Sequence, residues 1–233
     1  MIDFHSHILP GIDDGSRDVA ESLQMISMLR EQGVDTVVAT PHFYANHHSV
    51  QRFCARRQAA YERLIEAIGI TQASAQIVLG AEVRYYEGIS RLEGLTDLCI
   101  GGTRLLLLEM PMARWTEYTV RELVDLSCDG RIRLVLAHIE RYYTLQSREV
   151  WQRLLDCGIL MQTNAEFFTD WRTRGKAVRM LGDHRLHLLG SDCHNLTDRA
   201  PQILQAADRI RKKLGEEFLS EMNRFAAELL KNN

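Results

Sequence analysis

The sequence predicts an α/β protein whose seven βα units close into a TIM-like barrel. Short β-like runs alternate along the chain with stretches in which apolar residues recur every three or four positions. Residues 105–108 and 134–137 are apolar without alternation, which is typical of strands buried on both faces of a parallel sheet. The length of 233 residues suits one barrel, and no repeat or linker divides the chain. We therefore expect a single domain over residues 1–233.

The predicted elements follow one another in a regular order. The seven strands are residues 2–5, 35–39, 76–81, 104–109, 133–137, 158–163 and 186–190. Helical segments connect them; the first ends at Gly33, and its apolar face comprises Val19, Leu23, Ile26 and Leu29. After Pro201 we expect two helices separated by Gly215.

An open doubly wound sheet is the alternative arrangement of such units. A glycine-rich phosphate loop after the first strand would favour it. That loop has neither a GxGxxG nor a P-loop motif here, and instead carries His5, His7, Asp13 and Asp14. The barrel is therefore the favoured prediction.

Composition excludes several classes of protein. The 28 basic and 31 acidic residues give a net charge of −3, so binding of nucleic acid through bulk charge is not expected. No apolar run approaches the roughly 18 residues of a membrane span. The first residues lack the basic and apolar segments of a secretory signal, and the five cysteines form no CxxC pair. We expect a cytoplasmic protein without stable membrane insertion.

The carboxyl ends of the predicted strands carry an unusual number of imidazole and carboxylate groups. In a βα barrel these ends form the active site. Only the sixth strand, ending near Asn164, offers neither group. The others end in His5 and His7, His42, Glu82, Glu109, His138, and Asp192 and His194.

Several carboxylates that converge without a cation would repel one another, whereas mixed imidazole and carboxylate ligands suit Zn, Mn or Fe. The spacing His5-x-His7 directs both side chains to the same side of an extended backbone, and Asp192-x-His194 does the same. The pattern therefore predicts a metal centre. Any single histidine could instead be a loop residue, and Glu82 or Glu109 could pair with an arginine. His47, His48, His184 and His187 are not at strand ends, and we expect them at the surface or in supporting positions.

These residues lie in motifs that resemble the PHP (polymerase and histidinol phosphatase) superfamily. The similarity is greatest to its manganese-dependent bacterial protein-tyrosine phosphatases, which are associated with capsule and exopolysaccharide genes. The motifs are MIDFHSHILP at 1–10, DDG at 13–15, ATPH at 39–42, GAE at 80–82, LLE at 107–109, AHIER at 137–141 and SDCHN at 191–195. They extend in order over residues 1 to about 200.

The resemblance implies a distorted (β/α)7 barrel of the PHP fold with three divalent metal ions, Mn being expected and Fe, Zn or Co being alternatives. It assigns the first ion to His5, His7, Glu82 and Asp192. It assigns the second to Glu82, Glu109 and His138, and the third to Asp14, His42 and His194. The matching phosphate-binding arginines are Arg141 and Arg199.

The resemblance also implies an activity, namely hydrolysis of phosphotyrosine by a metal-bridging hydroxide without a covalent phosphoenzyme. The implied partner is a phosphotyrosine-containing protein, the tail of a bacterial tyrosine autokinase that regulates polysaccharide polymerisation. One alternative is a PHP phosphatase for a small phosphomonoester such as histidinol phosphate. Another is a catalytically silent, metal-containing binding protein.

Cys193 departs from the family pattern, in which alanine or methionine usually separates the metal-binding Asp and His. Cys193 and Arg199 have the C-x5-R spacing of a cysteine-phosphatase loop, but the residues between them, HNLTD, lack the glycine-rich turn that such a loop needs. We therefore expect an inert small residue rather than a nucleophile. Phe43, Tyr44 and Trp115 are candidates either for the wall of an aromatic pocket or for core packing.

Overall fold

The computed structural model describes residues 1–71 and 75–231, and parallel strands dominate it. The described strands are β1 Ile2–Ser6, β2 Thr36–Ala39, β3 His42–Phe43, β4 Gln76–Leu79, β5 Glu82–Arg84, β6 Leu105–Glu109, β7 Arg133–Leu136, β8 Leu160–Asn164 and β9 Leu188–Gly190. The α-helices are α1 Val19–Glu31, α2 Val50–Thr71, α3 Glu117–Cys128, α4 Arg148–Asp156, α5 Glu166–Thr169, α6 Arg174–Gly182, α7 Ile203–Leu214 and α8 Glu216–Lys231. Short 3₁₀ helices lie at Ile89–Arg91, Leu95–Leu98, Ile100–Gly102, Ile139–Arg141 and Tyr143–Leu145.

The strands follow the predicted barrel order, with two interruptions. They pair as β1-β2-β4 and as β3-β5-β6-β7-β8-β9. β2 and β4 lie within the second and third predicted strands. Residues 40–41 then separate β2 from β3, and residues 80–81 separate β4 from β5, so each strand resumes with a short segment that was not predicted. The His7 amide donates to the Cys193 carbonyl at 2.9 Å, which joins the end of β9 to β1. The predicted (β/α)7 TIM-like barrel is confirmed, and the two breaks interrupt the regular pairing of its strands.

Local sequence signals explain where several helices begin. The side chain of Asp18 accepts a hydrogen bond from the Glu21 amide at 2.9 Å and caps α1. The Thr116 hydroxyl accepts one from the Thr119 amide at 3.1 Å and caps α3. Gly215 (φ +100) separates α7 from α8, as the sequence predicted. Within residues 1–71 and 75–231, no helix has the length and apolar character required to cross a bilayer.

Two hydrophobic clusters hold the barrel together. The larger one packs the helices against the outside of the sheet. The smaller one includes Phe4, Val135 and Leu188 from the strands together with Ala226 and Leu229 of α8. Since Leu188 begins β9, α8 covers the amino-terminal end of the barrel. The opposite, carboxyl end is left for polar side chains.

Gly190 allows the last strand to approach the first. A Cβ atom at this position would lie 2.6 Å from the Cβ of His5 and 2.7 Å from Nε2 of Gln162. We expect Gly190→Ala to lower the free energy of unfolding by about 1–3 kcal/mol, because the strand backbone must shift to relieve this overlap. Urea denaturation measures the change.

Gly69→Ala is the matched control. It lies in α2, where an added Cβ would have nothing within 4 Å. Alanine favours a helix, so this change should leave stability equal or slightly higher. Equal stability of both variants would contradict the close approach of β9 to β1.

Candidate metal centre

The carboxyl ends of the strands bring all the predicted ligands together. Three groups of side chains have potential ligand atoms within 4.8 Å of one another; they are His5, His7, Glu82 and Asp192; His7, Asp14, His42 and His194; and His42, Glu82 and Glu109. His138 adjoins the last group, with Nε2 at 2.7 Å from Glu82 Oε1 and 3.8 Å from Glu109 Oε1. The first group matches the set implied by the resemblance. In the other two, the structure adds His7 beside Asp14 and His42 beside Glu109.

The first group has the spacing of a metal site. His5 Nε2 and His7 Nε2 lie 3.1 Å apart, and Glu82 Oε2 lies 3.2 Å and 3.3 Å from them. Asp192 Oδ1 is 3.6 Å from His5 Nε2 and 3.4 Å from His7 Nε2. Bonds of about 2.0–2.2 Å to a common ion place neighbouring ligand atoms roughly 3.0–3.6 Å apart. The four side chains therefore fit one cation.

Hydrogen bonds behind three of the histidines orient their free nitrogens toward the metal groups. Gln162 Oε1 accepts from His5 Nδ1 at 3.2 Å, and Asp13 Oδ2 accepts from His7 Nδ1 at 2.7 Å. The backbone carbonyl of Asp192 accepts from His194 Nδ1 at 2.9 Å. A proton held at Nδ1 leaves Nε2 with its lone pair, which is the tautomer that binds a metal.

Several buried polar atoms at the site lack a hydrogen-bond partner within the described residues. They are His42 Nδ1, Glu82 Oε2, His138 Nδ1 and His194 Nε2. Buried polar atoms are almost always satisfied, since an unsatisfied one costs about 1–3 kcal/mol. Most of these atoms lie among the three groups, so cations are the partners that the donor set fits.

The electrostatics of the first group favour a positive charge at its centre. Burial opposes charge on His5, but the Glu82 and Asp192 carboxylates outweigh burial and raise the pKa of His5. Burial likewise opposes ionisation of Glu82, yet the charge of His5 and hydrogen bonds with His138 hold the pKa of Glu82 well below its usual range. The carboxylates therefore stay ionised in a buried place, where a cation stabilises them.

The pKa values of Asp13 and His194, the neighbours of His7, are both lowered. Burial would raise the pKa of Asp13, but its hydrogen bond with His7 dominates and lowers that pKa to about 2. Burial and the charge of His7 lower the pKa of His194 to about 4. At neutral pH, Asp13 is an anion that supports His7, and His194 is a neutral imidazole suited to bind a metal.

Two of the predicted ligands have left-handed backbone conformations. His138 has φ +31 and Asp192 has φ +52, which for residues other than glycine costs roughly 1–3 kcal/mol. The His138 amide donates to Gln162 Oε1 at 2.6 Å, and the Asp192 amide donates to the His5 carbonyl at 2.7 Å. These bonds hold the strained residues at the strand ends.

The two predicted phosphate-binding arginines meet at one carboxylate. Arg141 contacts Asp192 Oδ2 at 2.5 Å, and Arg199 contacts Asp192 Oδ1 at 2.9 Å. Both guanidinium groups are partly open, with side chains 35% and 37% exposed. They border a cavity of about 40 Å³, which Glu166 and Gln202 also line. An anion in this cavity would meet both arginines beside the first group.

The sixth predicted strand, β8, supports the site although it carries no predicted ligand. Besides holding His5 and His138, its Gln162 donates to Asn164 Oδ1 at 3.1 Å. Asn164 Nδ2 then donates to Asp192 Oδ2 at 2.8 Å. The sequence signal is two amide side chains two residues apart in a buried strand, which places both on the barrel's inner face.

One of the two strand-end glutamates has an arginine partner. Arg84 Nη1 lies 2.8 Å from Glu109 Oε2, which agrees with the alternative that a strand-end glutamate pairs with an arginine. Glu82 is surrounded by histidines instead, because His42, His5 and His7 lie within 3.3 Å of its Oε2 atom.

The structure separates the three candidate aromatic residues. Phe43 and Trp115 are buried in the core. Tyr44 is half-buried, and its ring centroid lies 5.4 Å from that of His42, so it borders the site. Cys193 is fully buried, and burial raises the pKa of its thiol to about 12, which fits the expected inert role.

The remaining histidines lie outside the metal groups of the described residues. His47 and His184 are exposed, as expected for surface residues. His48 Nε2 accepts a hydrogen bond from Arg56 at 2.8 Å. His187 Nδ1 accepts one from the Met161 amide at 3.0 Å, and burial lowers the pKa of His187 to about 4.

Comparison with known proteins identifies the family. Residues 1–231 match the family model described as "Capsular polysaccharide synthesis, CpsB/CapC". The chain belongs to the CpsB/CapC family. It is 31% identical to the tyrosine-protein phosphatase CpsB of Streptococcus pneumoniae, over 95% of this chain and 94% of that protein. It is 29% identical to the tyrosine-protein phosphatase YwqE of Bacillus subtilis, over 100% of this chain and 92% of that protein.

Solved structures agree with this placement in the CpsB/CapC family. The chain superposes on a structure from a study of YwqE and CpsB, described there as unique metal-dependent tyrosine phosphatases, with a TM-score of 0.87. The identity is 26%, and the match covers 100% of this chain and 95% of that one. An organophosphorus hydrolase mutant, 15% identical with a TM-score of 0.60 over 98% of this chain and 92% of that one, shares the fold.

Proposed function

We propose that this member of the CpsB/CapC family is a metal-dependent protein-tyrosine phosphatase, with residues 1–233 acting as one domain. The observation that carries the proposal is a buried four-ligand group directly beside two partly open arginines. Asp192 belongs to the ligand group and also contacts Arg141 and Arg199. The activity named for the aligned relatives agrees with this geometry.

The metal ligands proposed are all the residues that the family resemblance implied, and three divalent ions, with Mn expected, would share them. His5, His7, Glu82 and Asp192 would hold one ion. The others would be held by Glu82, Glu109 and His138, and by Asp14, His42 and His194, with the neighbouring His42 and His7 close enough to contribute. Such ions make a hydroxide nucleophile available near neutral pH and neutralise phosphoryl oxygens.

The protein's own groups would bind and orient the phosphate. Arg141 and Arg199 present planar donor forks, which can each pair with two phosphate oxygens and align the phosphorus for in-line attack. A bound phosphate would compete with Asp192 for these donors. Tyr44, beside His42, is placed to pack against the ring of the substrate. A phenolate leaves readily because the pKa of tyrosine is near 10, so an aryl ester needs little help from an acid.

The proposed substrate is a phosphotyrosine-containing protein, specifically the tail of a bacterial tyrosine autokinase that regulates polysaccharide polymerisation. The names of the aligned relatives support a phosphotyrosine protein as the substrate class. The family description supports a link to capsule synthesis. We propose that the phosphatase meets this tail in the cytoplasm.

Steady-state hydrolysis tests the proposal. We expect metal-stripped protein resupplied with Mn to hydrolyse a phosphotyrosine peptide at least about tenfold faster, in kcat/KM, than a phosphoserine peptide or histidinol phosphate, because the phenolate is the better leaving group. Released inorganic phosphate is measured. Stripped protein without added metal should be inactive.

His42→Ala is the control for this assay. His42→Ala should abolish turnover, because His42 contacts both Glu82 at 3.0 Å and Asp14 at 3.4 Å. Faster hydrolysis of histidinol phosphate would assign the chain to small phosphomonoesters. If no metal supported turnover of any of these substrates, the catalytically silent binding protein would be favoured.

A further inference from the structure

The loop between α5 and α6 exposes a large aromatic side chain. Trp171 is 72% exposed, the highest value among the large apolar residues that the structure describes. The guanidinium carbon of Arg172 lies 5.4 Å from the centroid of its ring. Exposed aromatic residues next to arginine are enriched at sites that bind proteins.

The same loop and the first turn of α6 carry positive charge in a chain whose net charge is negative. Residues 171–176 read Trp-Arg-Thr-Arg-Gly-Lys, whereas the whole chain has a net charge of −3. Arg172 and Arg174 are exposed, and neither guanidinium pairs with a carboxylate within the described ranges 1–71 and 75–231. Asp170, the nearest acid in sequence, accepts a hydrogen bond from the backbone amide of Arg172 at 2.8 Å. The two arginine side chains are therefore available to an external anion.

This loop adjoins the arginine cavity. Glu166 of α5 and Gln202 line that cavity together with the two arginines. Thr169, at the end of α5, donates from its hydroxyl to Gln202 Oε1 at 3.3 Å. Trp171 follows two residues later. The loop that carries Trp171 therefore begins next to a wall of the cavity, on a surface that a protein segment bound there can cover.

Hydrogen bonds and a cation–ring contact also hold this loop and the start of α6. The Thr173 hydroxyl donates to the Phe167 carbonyl at 2.9 Å, and the Arg174 amide donates to the Asp170 carbonyl at 2.9 Å. Lys176 Nζ lies 4.8 Å from the ring centroid of Tyr143, which ties the start of α6 to the neighbouring loop. A surface ordered before binding loses less entropy when a partner docks.

We propose that residues 171–176, here called the basic rim, bind acidic residues that flank the phosphotyrosine of the protein substrate. The proposal rests on the phosphatase function and adds a substrate class, namely tyrosines within acidic segments. The cavity binds the phosphate, and the rim, which follows the Thr169 contact with Gln202, supplies cations and an aromatic ring to the flanking residues of the peptide. The rim acts on substrate affinity and leaves the chemistry to the metal centre.

Kinetics with matched substrates test the basic rim. Wild type and the double variant Arg172→Glu/Arg174→Glu would be assayed with p-nitrophenyl phosphate and with two phosphotyrosine peptides, one flanked by Asp and Glu and one by Gly and Ser. We expect the variant to raise KM for the acidic peptide about tenfold with kcat unchanged, because two attractive charges become repulsive. KM for p-nitrophenyl phosphate should not change. Trp171→Ala should raise KM for both peptides several-fold.

Lys212→Glu/Lys213→Glu is the charge-matched control. Both lysines are exposed near the end of α7, roughly 15 Å along the helix from the cavity. This variant should behave as wild type. The proposal would be overturned if wild type had the same KM for both peptides. It would also be overturned if Arg172→Glu/Arg174→Glu lost as much activity toward p-nitrophenyl phosphate as toward the acidic peptide.

A binding assay separates failure of the rim from failure of the phosphatase function. Fluorescence anisotropy with a non-hydrolysable phosphonate version of the acidic peptide reports affinity without turnover. Tight binding that the rim double variant weakens would support the rim even if no substrate were hydrolysed. Equal affinity of wild type and variant would overturn it.

Discussion

Glu82→Gln is expected to reduce kcat/KM for a phosphotyrosine peptide by at least about 10³-fold. The side chain of Glu82 is 1% exposed, and histidine nitrogens approach its two oxygens from several directions, between 2.7 Å and 3.3 Å. Glutamine keeps the size but removes the charge that balances these imidazoles and would balance a metal. Activity assays, with metal content measured on the same samples, would show both losses together.

Glu122→Gln is the control for burial of a glutamate. Glu122 is also buried, but it accepts hydrogen bonds from Tyr85 at 2.9 Å and from the Ser90 hydroxyl at 2.8 Å, away from the metal groups. This change should lower stability, because an amide replaces an ionised acceptor, while kcat/KM stays within about twofold. Wild-type activity in Glu82→Gln would contradict a metal role for Glu82.

The second large effect is expected from Arg141→Lys, with a fall of about 10²-fold in kcat/KM for every phosphomonoester. Arg141 reaches Asp192 from the edge of the cavity, and only a guanidinium can offer two parallel donors to a phosphate. Lysine keeps the charge but loses the fork, so transition-state alignment should suffer. Rates with p-nitrophenyl phosphate and a phosphotyrosine peptide would be compared.

Arg153→Lys serves as the matched control. Arg153 lies on α4, is 41% exposed and pairs with Glu117 at 2.6 Å, so its replacement should leave both rates unchanged. If Arg141→Lys impaired only the peptide reaction, Arg141 would act in peptide recognition rather than on the phosphate. Arg199→Lys should resemble Arg141→Lys, since both arginines contact Asp192.

The strand pattern was enough to predict the barrel and the place of the site. Uninterrupted apolar runs indicate parallel strands, and parallel strands of a barrel end on the same side. His42, Glu82 and His138 are far apart in sequence, yet each follows a predicted strand within three residues, so their meeting follows from strand order alone. The residues interrupting β2–β3 and β4–β5 were not foreseen, because a break in pairing depends on neighbouring strands.

The amino-acid sequence by itself determined which side chains gather at the carboxyl end of the barrel, because strand direction and period decide which residues end there. Only the tertiary structure decided how they are held. Gln162 contacts His5, from which it is separated by 157 residues in sequence. Asp192 has a left-handed backbone conformation that its neighbouring residues do not predict. These contacts and this backbone conformation depend on the close packing of strands that are distant in sequence, and the periodicity of residues does not predict such packing.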